Sequence, residues 1–163
     1  MSFVRFLEND PKLFLLEMMI KDGYLAGSIN LNFDKNGKVK NDFKIDGFVK
    51  NLEIKTLKNY KLDNLNFIFD IKDKDYKFLE IEELLNKIKL NSPSITVREK
   101  NNSFFIYGKI LNNEKNISFK VIDDLITSYY SDLNLKDIHF VSDNDFSFEV
   151  SKKFKLSNLN IKF

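Results

Sequence analysis

The sequence predicts a mainly β protein, an antiparallel sheet of roughly ten strands with one or two short helices. Apolar and polar residues alternate with a period of two along most of the chain, which is typical of strands. Each run has one wettable face, as antiparallel sheets often do and buried parallel strands do not. The composition agrees, because 17 phenylalanines stand beside a single alanine, a bias toward strands and away from helical bundles.

The composition also limits the possible functions. The 163 residues fit a single domain, and 26 Lys plus Arg against 24 Asp plus Glu leave a net charge of only +2. So small an excess argues against a strongly basic nucleic-acid-binding protein. Because the chain has no cysteine and only one histidine, it cannot form disulfides, thiol nucleophiles, cysteine-ligated metal centres or histidine-rich metal sites.

Residues 1–24 are expected to lead into the sheet as a helix or a strand. Asp10 and Pro11 are typical of a helix start and Gly23 lies beyond the end, so we predict a helix over 11–21. The same apolar run is also compatible with a fully buried strand. It is too short to cross a membrane as a helix, and no signal-peptide pattern precedes it.

The remaining elements follow from alternation and turn residues. Ile29, Leu31 and Phe33 alternate with polar residues, and Asn36-Gly37 then predicts a hairpin turn before a return strand from Phe43. Further strands are predicted over 65–71, 95–97, 104–110, 117–121, 138–140, 146–150 and 154–163. The stretch 78–90 is predicted as strand and turn, because apolar residues alternate before and after 82–87 although that segment has good helix propensity. Apolar residues at helical spacing predict one helix over 121–131.

Glycine recurs in the apolar row of the predicted strands. Gly47 and Gly108 share the pattern Phe-x-Ile-x-Gly-x-aliphatic, and Gly27 lies in a shorter relative of it. A missing side chain at such a position is typical of a bulge, of tight packing, or of the close approach of another group.

In a second pattern, two apolar residues stand three positions apart instead of two, and the residue just before the second of them is Asn or Asp. It is centred on Asn51, Asn64, Asp137 and Asn158. The period of two slips by one residue at each copy, and an uncompensated slip would turn every later side chain to the other face. We therefore predict a bulge or a local kink at each Asn or Asp.

No residue pattern indicates catalysis, and the protein is predicted not to be an enzyme. There is no glycine-rich phosphate loop, nucleophile motif or recognisable pair of catalytic carboxylates. His139 alternates with apolar neighbours and is expected on the polar side, while Asp143, Asn144 and Asp145 lack the spacing of a calcium loop and are predicted to form a turn. We expect no catalytic residue, cofactor, metal or nucleic-acid partner.

The candidate site is the apolar row itself. In an open sheet, a wall of Phe and Ile would bind acyl chains, because each methylene group removed from water contributes about 0.8 kcal/mol. The predicted lining of such a lipid groove is Ile29, Leu31, Phe33, Phe43, Ile45, Val49, Phe67, Phe69, Ile71, Ile95, Val97, Phe104, Ile106 and Ile110. If a second sheet covers this row, the alternative is a β-sandwich with a closed core, a secreted or surface module for binding or adhesion.

Several segments resemble the AsmA-like superfamily of bacterial envelope proteins, the group that includes AsmA, TamB and YhdP-type proteins. The resemblance rests on residues 27–34, 43–52 and 61–67, which contain the two recurring patterns. Segments 92–97, 144–148 and 153–156 are similar to further strands of that superfamily. The resemblance covers about residues 25–163.

The resemblance implies an elongated, curved antiparallel sheet, a U-shaped groove with an apolar inner wall. It implies a non-enzymatic segment of a bridge-like carrier that moves phospholipid between the inner and outer membranes and so serves outer-membrane biogenesis. The expected partner is the phospholipid acyl chain, and the expected location is the periplasm. Residues 1–163 would then be one groove segment of a longer chain, anchored to the inner membrane through a segment that lies elsewhere.

Overall fold

The computed structural model describes residues 19–38, 40, 42–55, 61–73, 75–85, 88–100, 103–113, 117–118, 137–138, 141–153 and 155–163. The predicted helix over 121–131, positions 11–18 and His139 lie outside these residues. Ile20 and Lys21 belong to a strand, so the end of the helix predicted over 11–21 is wrong. Ile20 pairs with Ile54 of the next strand, and this pairing overrides the local helix signal.

Among the described residues, eight strands form one open sheet in which all neighbouring strands are antiparallel. The first six are β1 (Ile20–Asn30), β2 (Lys44–Lys55), β3 (Lys61–Lys72), β4 (Asp75–Leu85), β5 (Ile88–Lys100) and β6 (Ser103–Asn112). A separate two-stranded ribbon consists of β7 (Ile117–Ser118) and β8 (Asp137–Ile138). The last two strands of the sheet are β9 (Ser142–Ser151) and β10 (Leu156–Lys162), and the order across the sheet is β1-β2-β3-β4-β5-β6-β9-β10.

The prediction of a mainly β, antiparallel fold is confirmed, but the sheet has eight strands rather than ten. The strands predicted near 117 and 138 pair with each other, through Ile117 and Ile138, and do not join the sheet. The chain leaves the sheet after Asn112 and returns at Ser142, directly opposite. The U-shaped curvature stays a prediction.

The hairpin predicted at Asn36-Gly37 is confirmed. The Gly37 N–H donates to the Asp34 carbonyl at 3.0 Å, and Gly37 has φ +76°, a conformation that glycine adopts without steric cost. The Asp34 carboxylate accepts hydrogen bonds from the N–H groups of Asn36 and Lys38 at 2.8 and 2.9 Å. These bonds fix the turn between β1 and β2.

The strand register places apolar residues of all eight strands on one side, which we call the apolar face. One row crosses the whole sheet through Gly27, Gly47, Phe69, Phe78, Ile95, Gly108, Phe146 and Ile161. The next row contains Ile29, Ile45, Ile71, Tyr76, Val97, Ile106 and Phe148. Side chains between these positions point to the opposite side, which we call the polar face.

Cross-strand ion pairs stabilise the polar face. Arg98 donates to both oxygens of Asp75 on the neighbouring strand, at 2.8 and 3.1 Å. Lys44 lies 3.5 Å from Asp70 on the neighbouring strand and 3.3 Å from Asp46 on its own strand. Each exposed pair contributes little by itself. Together the pairs keep opposite charges adjacent on neighbouring strands and thereby favour the observed register.

The kinks predicted from the second pattern are confirmed at Asn51, Asn64 and Asn158, which have φ of 53°, 51° and 53°. This left-handed conformation is one that Asn tolerates better than most residues. The N–H of Asn51 donates to the side-chain oxygen of Asn66 at 2.9 Å, and the amide of Asn66 donates to the Asn64 carbonyl at 2.8 Å. Of the copy centred on Asp137, only Asp137 and Ile138 are among the described residues.

Two further bulges and one glycine extend this line of kinks across the sheet. Glu80 has φ 52° and Gly23 has φ 140°, and the register of β5 against β6 shifts between Asn91 and Ile95, around Pro93. Proline is tolerated inside a sheet at such a bulge, because the ladder does not need its missing N–H there. The five neighbouring strands β1 to β5 therefore each contain an irregularity. Because of it, the apolar side chains before and after the irregularity lie on the same face of the sheet.

Candidate functional site: the apolar face

The structure brings together eleven of the fourteen predicted lining residues. They share the apolar face of β1 to β6 and are Ile29, Ile45, Val49, Phe67, Phe69, Ile71, Ile95, Val97, Phe104, Ile106 and Ile110. Leu31 and Phe33 lie in the connection after β1 and are exposed, and Phe43 lies just before β2 and is half-buried. Their place on this face stays a prediction.

Phe69 packs on two glycines at the centre of the β1–β2–β3 part of the face. A Cβ atom added to Gly47 would lie 2.7 Å from the Phe69 Cζ atom, and one added to Gly27 would lie 3.3 Å from it. The ring thus occupies space that two side chains would otherwise take. Phe69 is only 8% exposed, so the predicted close approach to the glycines is made by an aromatic ring of the protein itself.

Further aromatic residues that were not in the predicted lining extend the face. The Phe78 ring on β4 lies edge-on to Phe67, with centroids 5.6 Å apart, and Phe146 and Phe148 of β9 stack at 5.8 Å. Aromatic pairs in these arrangements add stability beyond the area that they bury. The alternation over 146–150 in the sequence was a signal that could have placed Phe146 and Phe148 on this face.

The apolar face carries almost no charge. The strand pairing assigns each lysine and arginine that has a paired partner to the polar face, and among the paired carboxylates it assigns only Glu83 and Glu99 to the apolar face; Lys21 and Glu80 lie at register shifts and are not paired. Glu99 lies 3.2 Å from Lys152 in the β9–β10 turn. The paired cations of the described strands thus all lie on the polar face, and the Lys152 ammonium reaches the apolar face only at Glu99.

Within the described ranges, no second sheet packs on the apolar face, and the sheet strands contact chiefly their hydrogen-bonded neighbours. Both edge strands are exposed along their whole length. Leu25 and Ile29 on β1 remain 74% and 62% exposed, and Leu159 and Ile161 on β10 remain 56% and 46% exposed. Burial is deepest in the middle strands, where Val49, Phe69, Ile81 and Ile88 are 5–8% exposed.

A polar patch interrupts the apolar face at one end. It comprises Glu83 on β4, Ser92 on β5, Asn112 on β6, and Ser142 and Asn144 on β9. Ser92 pairs with Ile81 and Asn112 pairs with Ser142, so these side chains lie on adjacent strands of the same face. Burial raises the pKa of the Glu83 carboxyl above its ordinary value, because desolvation disfavours the charged form.

The turn predicted over 143–145, which includes one residue of this patch, is wrong. Asp143, Asn144 and Asp145 do not form a turn but lie inside β9. Their pairing with β6 and the Lys109 ammonium, 2.8 Å from Asp143 and 3.8 Å from Asp145, offset the low strand propensity of three acidic or amide residues. Asn144 consequently points to the apolar face.

The polar face carries apolar side chains as well, notably Phe48 and Ile68, and it forms shallow clefts between paired charges. One cleft is lined by Lys44, Asp70 and Lys72, together with Asp73, Asp75 and Lys77. The hydrogen bond from Arg98 lowers the pKa of Asp75, which keeps this carboxylate ionised and paired. The described residues contain no group of three or more potential ligands arranged to hold a metal ion.

No helix among the described residues has the length and apolarity to cross a bilayer. Comparison with protein-family models, curated proteins and solved structures finds no match for this chain.

Proposed function

We propose that the apolar face binds lipid acyl chains and that the protein works as a non-enzymatic lipid-binding segment. The observation that carries this proposal is the apolar side of an eight-stranded sheet, interrupted by the polar patch at one end only, on which the strand pairing places no lysine or arginine. A solvated surface in a lysine-rich chain would not separate its charges so completely. An apolar ligand gains free energy from such a surface over its whole length.

The dimensions of the sheet fit this role. Strands about 4.8 Å apart give eight strands a width of roughly 34 Å. One acyl chain spans about half of the ~30 Å hydrocarbon core of a bilayer. The face is therefore wide enough for two chains in succession, and each methylene group that it removes from water contributes about 0.8 kcal/mol. Because neighbouring rows are chemically alike, a chain can move along them without meeting a large barrier.

The line of kinks supports a curved sheet. β-Bulges bend a strand and increase its twist, and natural sheets use bulges and glycine positions to create curvature. Asn51, Asn64, Glu80 and Pro93 place one such irregularity in each of four neighbouring strands. A trough with the apolar face inside would shield more of an acyl chain from water than a flat sheet.

The resemblance to the AsmA-like superfamily supplies the biological setting of the proposal. In this setting the segment belongs to a periplasmic carrier, anchored to the inner membrane elsewhere in a longer chain, which moves phospholipid to the outer membrane. The recurring glycine and asparagine patterns support the setting, and the apolar face is the part of the molecule that would touch the lipid.

Native mass spectrometry tests lipid binding directly. We expect the protein, purified from bacteria without added lipid, to carry phospholipid adducts. Ile106→Asp should remove most adducts, because it puts a carboxylate on the apolar face. Tyr107→Asp, on the polar face of the same strand, should keep them. Ile106 is a better target than Phe69, which packs on the glycines and whose replacement would also disturb folding.

Two results would contradict the proposal. One is the absence of adducts in a protein whose far-ultraviolet circular dichroism shows an intact β fold. The other is a protein in which Ile106→Asp unfolds the chain while adducts never appear, which would support the alternative of a closed sandwich core. Circular dichroism of both variants, measured alongside mass spectrometry, distinguishes these results from an effect on ligand binding alone.

A further inference from the structure

The connection between β1 and β2 extends farther from the sheet than the neighbouring turn does. Thirteen residues lie between Asn30 and Lys44, the last pair of these two strands. At the same end of the sheet, only two residues lie between Lys72 and Asp75, the last pair of β3 and β4. Because a strand rises about 3.3 Å per residue, the steps from Asn30 to the turn at Asn36 carry the tip up to roughly 20 Å beyond this row.

Hydrogen bonds hold the projecting segment as a two-stranded ladder. We call its described residues, 31–38 and 40, the tip hairpin. The Lys40 N–H donates to the Asn32 carbonyl at 2.7 Å, and the Asp34 N–H donates to the Lys38 carbonyl at 2.8 Å. Side chains along each arm of such a ladder alternate between its two sides. The tip hairpin therefore has two distinct sides, like the sheet from which it extends.

Two large apolar side chains of the tip hairpin are exposed. Leu31 is 45% exposed and Phe33 is 57% exposed. They are two positions apart on the same arm of the ladder, so they lie on the same side of it. Single exposed apolar residues are common on protein surfaces. This pair differs from them because it lies on a projection that also carries three lysines.

The three lysines, Lys35, Lys38 and Lys40, are exposed, and none of them belongs to the ion pairs of the described residues. The nearby carboxylates accept hydrogen bonds from uncharged groups instead. Asp34 accepts from two N–H groups of the turn, and Asp42 accepts from an asparagine amide at 3.1 Å. Three lysines minus two aspartates leave a net charge of +1, and all three ammonium groups remain available to an anionic surface.

An apolar side flanked by lysines is typical of segments that lie in the interface of a membrane. Anionic headgroups attract lysines near the surface, while the apolar side chains enter the boundary of the acyl chains. A protein partner fits the tip hairpin less well, because a specific interface buries about 1,000 Å² or more with good shape complementarity. Two apolar side chains on a narrow projection offer too little surface for such an interface.

We infer that the tip hairpin docks on an anionic phospholipid surface, with Leu31 and Phe33 turned into the bilayer and the three lysines among the headgroups. This goes beyond the proposed function and does not require the apolar face of the sheet to bind lipid. Docking brings the end of the sheet that carries Ile29, Ile45 and Ile71 close to the bilayer. The two lipid contacts are therefore separate, one at the tip and one on the sheet.

Co-sedimentation of the whole protein with vesicles tests the apolar part of the contact. The vesicles consist of phosphatidylcholine mixed with phosphatidylglycerol. Phe33→Ser should bind them about tenfold more weakly, because an apolar ring no longer enters the bilayer. The matched control is Leu159→Ser on β10, at the opposite edge of the sheet, where the leucine is 56% exposed. We expect this control to bind like the unmodified protein.

The lysines are tested with the same vesicles. Lys38→Gln should weaken binding about fivefold, which is the effect of one lysine near an anionic surface. Lys55→Gln removes the same charge at the opposite end of β2, where Lys55 is exposed, and should leave binding unchanged. Salt should weaken the binding of the unmodified protein, because it screens exposed charges. Vesicles of phosphatidylcholine alone should bind less protein.

Phe33→Trp reports insertion without the loss of an aromatic ring. The chain has no tryptophan, so the new indole is the only one. Its emission should move to shorter wavelength when the mixed vesicles are added, because the ring leaves water for the acyl-chain boundary. An unchanged emission spectrum in the presence of vesicles that sediment the protein would contradict insertion of the tip.

The possible results separate this docking from the proposed function. Equal weakening by Phe33→Ser and Leu159→Ser would overturn the docking and show that vesicles contact the apolar face instead. Equal weakening by Lys38→Gln and Lys55→Gln would overturn it by showing that only the net charge matters. Failure of the folded protein to bind the mixed vesicles would also overturn it, leaving the tip to a protein partner. None of these results removes phospholipid adducts from the native mass spectrum, which tests the proposed function alone.

Discussion

Replacing Phe69 by alanine tests whether the centre of the apolar face is open to water or enclosed in a core, because the two cases predict different losses in the free energy of unfolding. Phe69 is 8% exposed and lies on Gly27 and Gly47, so the variant uncovers both the glycines and the neighbouring Phe67 ring. Burial of a phenylalanine side chain contributes about 1.5–3 kcal/mol. On an open face, water fills the space, so we expect a loss of about 2–3 kcal/mol in the free energy of unfolding. A closed core would add the cost of a cavity and lose about 3–5 kcal/mol.

Urea unfolding followed by circular dichroism gives this free energy. The matched control is Phe48→Ala, because Phe48 lies on the polar face at 42% exposure, with the Lys50 ammonium 5.5 Å from its ring centroid. We expect the control to lose about 1 kcal/mol, mainly from that contact and partial burial. Equal losses for the two variants would refute the conclusion that the ring and the two glycines form one packed unit.

Three other perturbations test separate parts of the structure. Gly47→Ala should destabilise the protein by about 1–3 kcal/mol in urea unfolding, because the new Cβ atom meets backbone and the Phe69 ring; wild-type stability would contradict this packing. Asn64→Val should cost about 1–2 kcal/mol and Asn64→Gly almost nothing, because the left-handed conformation disfavours β-branched residues; equal stability of the two variants would contradict the bulge. Because the folded state raises the pKa of Glu83, stability should fall as pH rises from the ordinary glutamate pKa of about 4.3 through the raised value. Glu83→Gln should remove this fall, and an unchanged pH profile would show that the carboxyl is not desolvated.

The kinks show what the sequence could predict. At Asn51, Asn64 and Asn158 the slip from two to three residues is visible because polar residues separate the apolar ones, and Asn is a residue that adopts the left-handed conformation. At Glu80 the same slip, from Phe78 to Ile81, is hidden because Leu79 between them is also apolar. The irregularity around Pro93 becomes visible only when β5 is aligned with β6.

The polar patch could not be predicted because its residues are far apart in the chain. Asp143, Asn144 and Asp145 have the composition of a turn, and only the partner strand β6 with Lys109 makes them a strand. Likewise, the pattern near 117 and 138 identified extended segments but not their partners. Local alternation predicts which residues of one strand share a face, whereas which strand pairs with it depends on the topology of the whole sheet.

Quenching of a single introduced tryptophan by a brominated fatty acid asks most directly which side of the sheet holds acyl chains. The chain has no tryptophan, so a substituted residue is the only indole signal. Phe104→Trp places it on the apolar face, opposite Val150, and Phe105→Trp places it on the polar face, opposite Glu149. With dibrominated stearate, we expect strong, saturable quenching of the first variant and little of the second. Equal quenching of both variants, or none of either in a folded protein, would contradict an acyl-binding apolar face.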